Sequence, residues 1–367
     1  MSRESNVRRS VYQLQSAEAC NFEQREMTWH VGHTRTRFLI LTVLLLTEFA
    51  SGLFSFGGAG GAAGGRSMGS LKVKEVAVTG STGLVGSALC SRLRERGIGV
   101  RPVSTRSGAL DPSAFEGCDA VVHLSGENIA SGSLESPFAF LGAWTEGKKA
   151  KILGSRVDGT ASVVSAINAM KKKPSVLVCA SAVGLYGFEG NEDKVFTEGD
   201  AQGGGFLAQV VSAWEAEAAK SKIRTVSCRF GVVLSPRAGV VAKLLPIFKL
   251  AAGGNLGSGK QGFSFVSIDD AVRAIEFSLE NGSVKGPVNV CSPEPVTNTD
   301  FTQALGKAVN RPAIFPVPQF VGDVIFGQFG REVLFGGQRC TPKRLTALGF
   351  KFEDVFIDST LNRLINE

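Results

Sequence analysis

The chain of 367 residues lacks several features that identify common classes of binding site. Its seven cysteines are scattered and none belongs to a C-x-x-C pair, so we expect buried free thiols in a reducing compartment rather than disulfides or structural zinc. No long block of Lys and Arg accompanies the net charge of +7, so nucleic-acid binding is not expected. No metal site and no internal repeat are predicted. The 43% of hydrophobic residues fits a globular protein with ample core.

Residues 1–70 differ in composition from the rest and are predicted to be a targeting leader, disordered over residues 53–70. An apolar run at residues 38–46 follows two arginines, which is typical of a signal peptide and too short for a bilayer span. No acidic residue occurs between Glu48 and Glu75. The leader resembles the bipartite signals of plastid proteins; a single-pass membrane anchor, secretion and mitochondrial import are the alternatives. Membrane contact is expected only through an uncleaved leader.

The most informative segment is a β-branched run, residues 75–79, that enters a glycine-rich turn. Glycines at positions 80, 83 and 86 precede a helix-forming stretch, which is the strand–turn–helix context of a dinucleotide fingerprint. There the glycines let the backbone approach a pyrophosphate at the helix N-terminus. The alternative is a chance triplet in a chain with 45 glycines. The residues predicted to bind the cofactor here are Gly80, Ser81, Thr82, Gly83, Leu84, Val85 and Gly86.

From residue 72 short apolar runs alternate with helical stretches, which predicts an α/β fold with a Rossmann-type doubly wound parallel sheet. We expect a nucleotide-binding domain at residues 71–285 and a smaller C-terminal α/β lobe at residues 286–367. The third strand of a complete Rossmann half is not evident after Arg106. Because ligands of such sheets bind at the carboxyl ends of the strands, a substrate pocket is expected between the nucleotide edge and the lobe.

The choice of cofactor depends on the end of the second predicted strand, residues 99–104. An acid there would bind the ribose hydroxyls of NAD, but Thr105 and Arg106 follow instead. Arginine pairs with a phosphate through two hydrogen bonds, so NADP(H) is preferred. A solvent-facing loop arginine is the alternative. Leu124, Ser125 and Gly126 follow the next strand and are predicted to let the ribose approach the backbone, or else to form a plain turn.

Two side chains are predicted to take part in catalysis. Ser181 ends a strand and Tyr186 follows five residues later, a pattern in which the serine hydrogen-bonds a substrate oxygen and the tyrosine supplies its proton. However, only Tyr12 and Tyr186 exist, and neither has a lysine four residues on, which argues against standard chemistry. His123 lies in an apolar run and is more readily interpreted as a core histidine than as a catalyst.

From residue 72 to its end, the chain resembles the atypical, epimerase-like branch of the short-chain dehydrogenase/reductase superfamily. The resemblance rests on the glycine turn and the segments 124–129, 144–146, 155–157, 180–187, 229–235, 256–259, 267–270, 336–339 and 342–345. It implies NADP(H) held by the glycine turn, Thr105-Arg106, Leu124-Ser125, Arg156 and the loop at Val232. Arg156 would otherwise be interpreted as a surface helix residue.

The chain departs from this family pattern in two places. A third difference, the loss of the Tyr and Lys kept elsewhere in the superfamily, is shared with the rest of the branch. Ser267 stands where the family commonly has histidine, and the stretch 130–143 is longer than usual and would form a lid or a plain surface loop. Leu207 and Val211 stand where other members of the superfamily keep Tyr and Lys. Two functions follow: an NADP(H)-dependent oxidoreductase or epimerase acting on a small carbonyl or hydroxyl compound, or a catalytically silent NADP(H)-binding regulator.

Overall fold

The computed structural model describes residues 73–367 except residues 107, 131–143 and 190–192. The leader predicted for residues 1–70 and nearly all of the 130–143 stretch lie outside the described residues. In the part that is described, no helix has both the length and the apolar character needed to cross a membrane.

Strands and helices alternate through most of the described chain. The strands are β1 Glu75–Thr79, β2 Gly99–Val103, β3 Ala120–His123, β4 Val176–Ala182, β5 Val195–Phe196, β6 Arg224–Phe230, β7 Val232–Leu234, β8 Gly262–Phe263, β9 Phe265–Ser267, β10 Gly286–Val290, β11 Val296–Thr297 and β12 Arg339–Cys340. The helices are α1 Leu84–Glu95, α2 Glu146–Ala169, α3 Phe206–Ala218, α4 Gly239–Lys249, α5 Ile268–Glu280, α6 Asn298–Ala308, α7 Gln319–Phe329, α8 Lys343–Ala347 and α9 Ile357–Asn366. A π-helical turn, Gly330–Leu334, follows α7.

Six strands form the central sheet in the order β2-β1-β3-β4-β6-β10, and every neighbouring pair is parallel. The strand order reverses between β1 and β3, which confirms the Rossmann-type prediction. Between β2 and β3 the described residues hold one 3₁₀ turn, Pro112–Phe115, and no strand, as expected for a shortened first half.

The sheet is buried on both faces because its strands alternate between two apolar clusters. Val76 and Val78 pack with α1 and α5, whereas Ala77, between them, packs with Phe115 and α2. Near-continuous apolar strands are what a parallel sheet covered by helices on both sides requires.

The C-terminal region contributes to the sheet itself. β10, predicted to open the smaller lobe, pairs with β6 along its whole length and is the outermost strand. The predicted boundary at residue 286 therefore coincides with the start of a strand of the central sheet, and the division into two domains stays a prediction. Beyond it, α6 and α9 pack together through Phe301, Leu305 and Leu361.

A buried carboxylate joins this C-terminal region to α3. Glu332, in the π-helical turn, accepts hydrogen bonds from the backbone N–H groups of Phe206 and Leu207, both at 2.9 Å. The residue before α3 is Gly205, which offers no side-chain cap. Glu332 therefore replaces the missing N-cap, and its charge suits the helix N-terminus.

Beside the end of β1, the side chain of His123 is fully buried between two threonines. Its Nδ1 lies 2.6 Å from Thr79 Oγ1 and its Nε2 lies 3.0 Å from Thr160 Oγ1. Burial lowers the pKa of His123 to about 4. The ring is therefore neutral at physiological pH, as expected for a core histidine.

We predict that Glu332→Ala destabilises the fold by about 1–2 kcal/mol, because two partly buried N–H donors lose their acceptor. Urea unfolding measures the change. Glu353→Ala, which removes a largely exposed carboxylate, is the matched control and should change stability by about 0.5 kcal/mol or less. Equal losses in the two variants would contradict the capping role.

We also predict that stability falls as the pH is lowered from 6.5 towards 4. The unfolded histidine takes up a proton near 6.5, whereas the folded one does so only near 4. The unfolded state thus binds more protons in this window, at a cost of up to about 3 kcal/mol. In urea unfolding at several pH values, His123→Asn should show a shallower slope; an unchanged slope would contradict the assignment.

Candidate cofactor and substrate site

The glycine turn holds β1, β3 and α1 closer together than side chains would allow. Gly80 has φ of 67°, and a Cβ built there would lie 2.8 Å from the Leu124 carbonyl carbon and the Ser125 nitrogen. A Cβ at Gly86 would lie 2.1 Å from the Gly80 oxygen. Both positions therefore require glycine, and the turn brings the loop after β3 against the loop after β1.

The N-terminus of α1 has the features of an anion site. It begins after Gly83 and has no acidic residue in its first turn. Among the neighbouring turn residues, Ser81 is half-buried and Thr82 is exposed. Free N–H groups at a helix start attract a negative group, so the turn fits a dinucleotide pyrophosphate. Leu84 and Val85, also predicted to bind it, form the first turn of the helix.

The predicted ribose and phosphate contacts lie on loops that flank this turn. β2 is the neighbour of β1, and Arg106 beyond its end is exposed, with Thr105 half-buried. On the opposite side, the N–H of Leu124 donates to Thr79 Oγ1 at 3.2 Å, and Gly126 is exposed. The segment 104–106 thus carries one cation and no acid, as the preference for NADP(H) requires.

Arg156 of α2 is more enclosed than a surface helix residue would be. Its Nη1 donates to the Glu127 and Ile152 carbonyls at 3.0 and 3.2 Å, and its guanidinium lies 5.3 Å from the Trp214 ring centre. Burial lowers the pKa of Arg156 to about 10. A Cβ at Gly126 would approach the guanidinium carbon to 3.3 Å, so this arginine lies directly behind the loop after β3.

Val232, the remaining residue predicted to contact the cofactor, opens β7. Its N–H donates to the Ser264 carbonyl at 2.7 Å, and 37% of its surface is exposed. The side chain is therefore accessible to a ligand. Its role, like that of Arg156, stays a prediction.

Ser181 belongs to a buried network at the carboxyl ends of β4 and β6. Its hydroxyl donates to Glu215 Oε1 at 2.6 Å. The same carboxylate accepts two hydrogen bonds from Arg229, from Nε and Nη2, both at 2.8 Å. A bidentate pair of this kind is both strong and directional.

Tyr186 lies at the other end of the network, and its placement differs from that expected of a proton donor. Its hydroxyl donates to Asn289 Oδ1 at 2.7 Å and accepts from Arg229 Nη1 at 3.0 Å. The ring stacks on Phe196, only 1% of the residue is exposed, and burial raises the pKa of Tyr186 to about 12. To protonate a substrate directly, Tyr186 would have to break its hydrogen bond to Asn289.

The residues that sequence reasoning missed are Glu215, Arg229 and Asn289. Each is a polar or charged residue directly next to an apolar residue of its strand or helix, and such residues are buried only when paired. That signal was present in the segments around Trp214 and Phe230. The signal identifies a buried polar residue but not its partner, because the partners are distant in sequence. Arg229 lies 14 residues from Glu215, and Asn289 lies 103 residues from Tyr186.

The positions of the missing Tyr and Lys are filled by apolar packing. Leu207 packs against Trp144 and Phe326, and Val211 packs with Tyr186 and Phe196. Neither position offers a proton. α3 instead contributes Glu215 to the network, two turns further on.

A cavity of about 420 Å³ opens between the loops that precede α3 and the C-terminal region. It is lined by Phe188, Glu189, Gly204, Gly205, Gln328, Arg331 and Glu332. None of the predicted cofactor-binding or catalytic residues lines it, so the substrate pocket expected between the nucleotide edge and the lobe stays a prediction.

Comparison with known proteins agrees with this architecture. The sequence pattern of the NAD dependent epimerase/dehydratase family matches residues 76–291, and that of DUF1731, a domain of unknown function, matches residues 317–364. An epimerase family protein of Mycobacterium bovis is 38% identical over 302 residues, which cover 78% of this chain and 96% of the relative. The SDR39U1 homolog of Arabidopsis thaliana, named chloroplastic, is 35% identical over 314 residues, covering 79% and 86%.

Solved structures share the fold. Human epimerase family protein SDR39U1, determined with NADPH, is 30% identical with a TM-score of 0.71, covering 80% of this chain and 99% of its own. UDP-glucose 4-epimerase of Thermus thermophilus, determined with NAD, has a TM-score of 0.59 at 19% identity, covering 79% and 98%, and is similar in fold alone. The family pattern matches residues 76–291, more than half of the chain, and the relatives from Mycobacterium bovis and Arabidopsis thaliana are more than 30% identical. The chain therefore belongs to the NAD dependent epimerase/dehydratase family.

Proposed function

We propose that the chain is an NADP(H)-dependent oxidoreductase of the epimerase-like type that acts on a small carbonyl or hydroxyl compound. The observation that carries the proposal is the glycine turn, where Gly80 and Gly86 leave room for a pyrophosphate beside the unblocked N-terminus of α1. The exposed Arg106 after β2 supports NADP(H) over NAD(H), since no acid occupies the segment 104–106. The human relative solved with NADPH gives independent support.

The residues around the turn would hold the cofactor in distinct ways. The backbone of residues 80–86 would bind the pyrophosphate, Thr105 and Arg106 the 2′-phosphate, and residues 124–126 the ribose. Arg156, behind that loop, and Val232 would complete the site. When bound, NADP(H) supplies the hydride chemistry.

Ser181 is the residue that we assign to contact the substrate oxygen. Its single hydroxyl proton is already donated to Glu215, so only its lone pairs remain for a ligand. Ser181 can therefore accept a hydrogen bond from a substrate hydroxyl but cannot donate one to a carbonyl. Tyr186 acts as a positioning residue, because it touches Arg229, which in turn fixes Glu215.

A regulatory protein that binds NADP(H) without turnover is the second candidate. The apolar packing of Leu207 and Val211 favours it, since α3 has no replacement for the usual Tyr and Lys at those positions. Occupancy by the cofactor would then be the signal, and the C-terminal region would offer the partner surface.

For cellular location we propose the plastid. The proposal rests on the leader-like composition of residues 1–70 and on the relative from Arabidopsis thaliana that is named chloroplastic. Fluorescence microscopy of residues 1–70 fused to a fluorescent protein tests it in a plastid-bearing cell. Retention of the fusion in the secretory pathway or in mitochondria would contradict it.

We predict that Arg106→Ala raises the Kd for NADPH roughly 10- to 100-fold and leaves the Kd for NADH unchanged, because it removes a charged contact to the 2′-phosphate alone. Isothermal titration calorimetry measures both. Arg94→Ala, which removes an exposed arginine at the far end of α1, is the matched control and should change neither value. Equal weakening of NADPH and NADH by Arg106→Ala would contradict the assignment.

We predict stereospecific transfer of deuterium to C4 of NADP+ when the enzyme oxidises members of a panel of small hydroxyl compounds that carry deuterium on the hydroxyl-bearing carbon. Ser181→Ala should slow the transfer about 100-fold or more, whereas Tyr186→Phe, which acts through Arg229, should slow it about tenfold. Mass spectrometry of the recovered cofactor measures the transfer. Tight NADPH binding with no deuterium transfer for any member of the panel would contradict the oxidoreductase proposal and favour the regulatory protein.

A further inference from the structure

Helix α7 has apolar residues on all sides, although it lies at the surface. Within Gln319–Phe329 the polar side chains are Asp323 and two glutamines. Its inner face is firmly packed, since Phe326 and Phe329 are buried with Trp144, and Gly322 lies so close to Phe335 that a Cβ would meet its ring. A helix that is apolar all round is ordinarily covered on both faces.

Among the residues that the structure describes, none covers the outer face of α7. Phe320 and Val324, one helical turn apart, are 68% and 83% exposed. The segment that leads into α7 lies beside the segment that follows α4, because Val317 bridges to Leu256 and Arg311 Nε donates to the Lys249 carbonyl at 3.2 Å. Leu250 and Ile314, on these two segments, are 65% and 68% exposed. We call these four apolar residues, with the charged residues beside them, the α7 ridge.

The charges beside these apolar groups are mainly positive. Lys249 and Arg311 are exposed next to Leu250, and Arg331 is about half exposed near α7. Asp323 of α7 lies 3.7 Å from Arg331 and forms an ion pair with it, so these two charges offset each other. Lys249 and Arg311 therefore give the ridge its positive excess.

We propose that the α7 ridge docks on the surface of an anionic lipid bilayer. Exposed phenyl and aliphatic groups enter the boundary between headgroups and acyl chains, while neighbouring Lys and Arg side chains pair with lipid phosphates. A second copy of the chain fits less well, because a twofold interface would bring two positive ridges together. The contact is peripheral and involves neither the glycine turn nor the Ser181 network.

Co-sedimentation of the full chain with phosphatidylglycerol vesicles and with phosphatidylcholine vesicles tests the proposal. We expect binding to the anionic vesicles that weakens with added salt, and weak binding to the neutral ones. Phe320→Ser combined with Val324→Ser should lower the vesicle partition coefficient by about tenfold or more. Lys249→Gln combined with Arg311→Gln should remove most of the preference for anionic lipid.

The matched control is Leu153→Ser combined with Val195→Ser, which removes two exposed apolar side chains of α2 and β5. It should bind as the unchanged chain does, and circular dichroism melting verifies that every variant is folded. Vesicle binding that survives the Phe320/Val324 change would overturn the proposal and assign binding to the leader. The proposal would also be overturned if the full chain did not bind vesicles but formed concentration-dependent dimers that the Phe320/Val324 change abolished. The ridge would then be the contact with a second copy of the chain.

Discussion

The guanidinium of Arg229 is the group on which the carboxyl edge of the sheet depends. Its side chain is 7% exposed at the end of β6, and a buried cation is stable only when paired and hydrogen-bonded. Glu215 supplies the charge and accepts two hydrogen bonds, and the Tyr186 hydroxyl accepts a third. One side chain therefore fixes β6, α3 and the turn after β4 relative to one another.

The same edge explains why the C-terminal region is part of the site and not an addition to it. Asn289 of β10 accepts a hydrogen bond from the Tyr186 hydroxyl through Oδ1 and donates one to the Thr341 carbonyl at 3.0 Å through Nδ2. Glu332 caps α3, the helix that carries Glu215. Thr341 and Glu332 both lie within the segment that matches DUF1731, so that segment contacts Asn289 at one end of the network and the start of α3 at the other.

The sequence was sufficient for the features that are local along the chain. The glycine turn, the order of strands and helices, and the missing acid after β2 each depend on a few consecutive residues, and the sheet has the predicted topology. The Ser181 network could not be predicted, because its hydrogen bonds join residues 14, 34, 43 and 103 positions apart. The role expected of Tyr186 came from its spacing to Ser181. Spacing along the chain cannot show that the Tyr186 hydroxyl donates its hydrogen bond to Asn289.

The network also limits which chemistry an enzyme of this design can perform. The pKa of Tyr186 is about 12, and that of Arg229 is raised because its hydrogen bonds and charge pairing with Glu215 outweigh the opposing effect of burial. Neither group exchanges a proton readily near neutral pH, and Asn289 does not ionise. Within the described residues, the carboxylate of Glu215 is therefore the base that is hydrogen-bonded to Ser181. If the proposed oxidoreductase takes a proton from a substrate hydroxyl, the path that this geometry offers leads through Ser181 to Glu215, at the energetic cost of weakening the pair with Arg229.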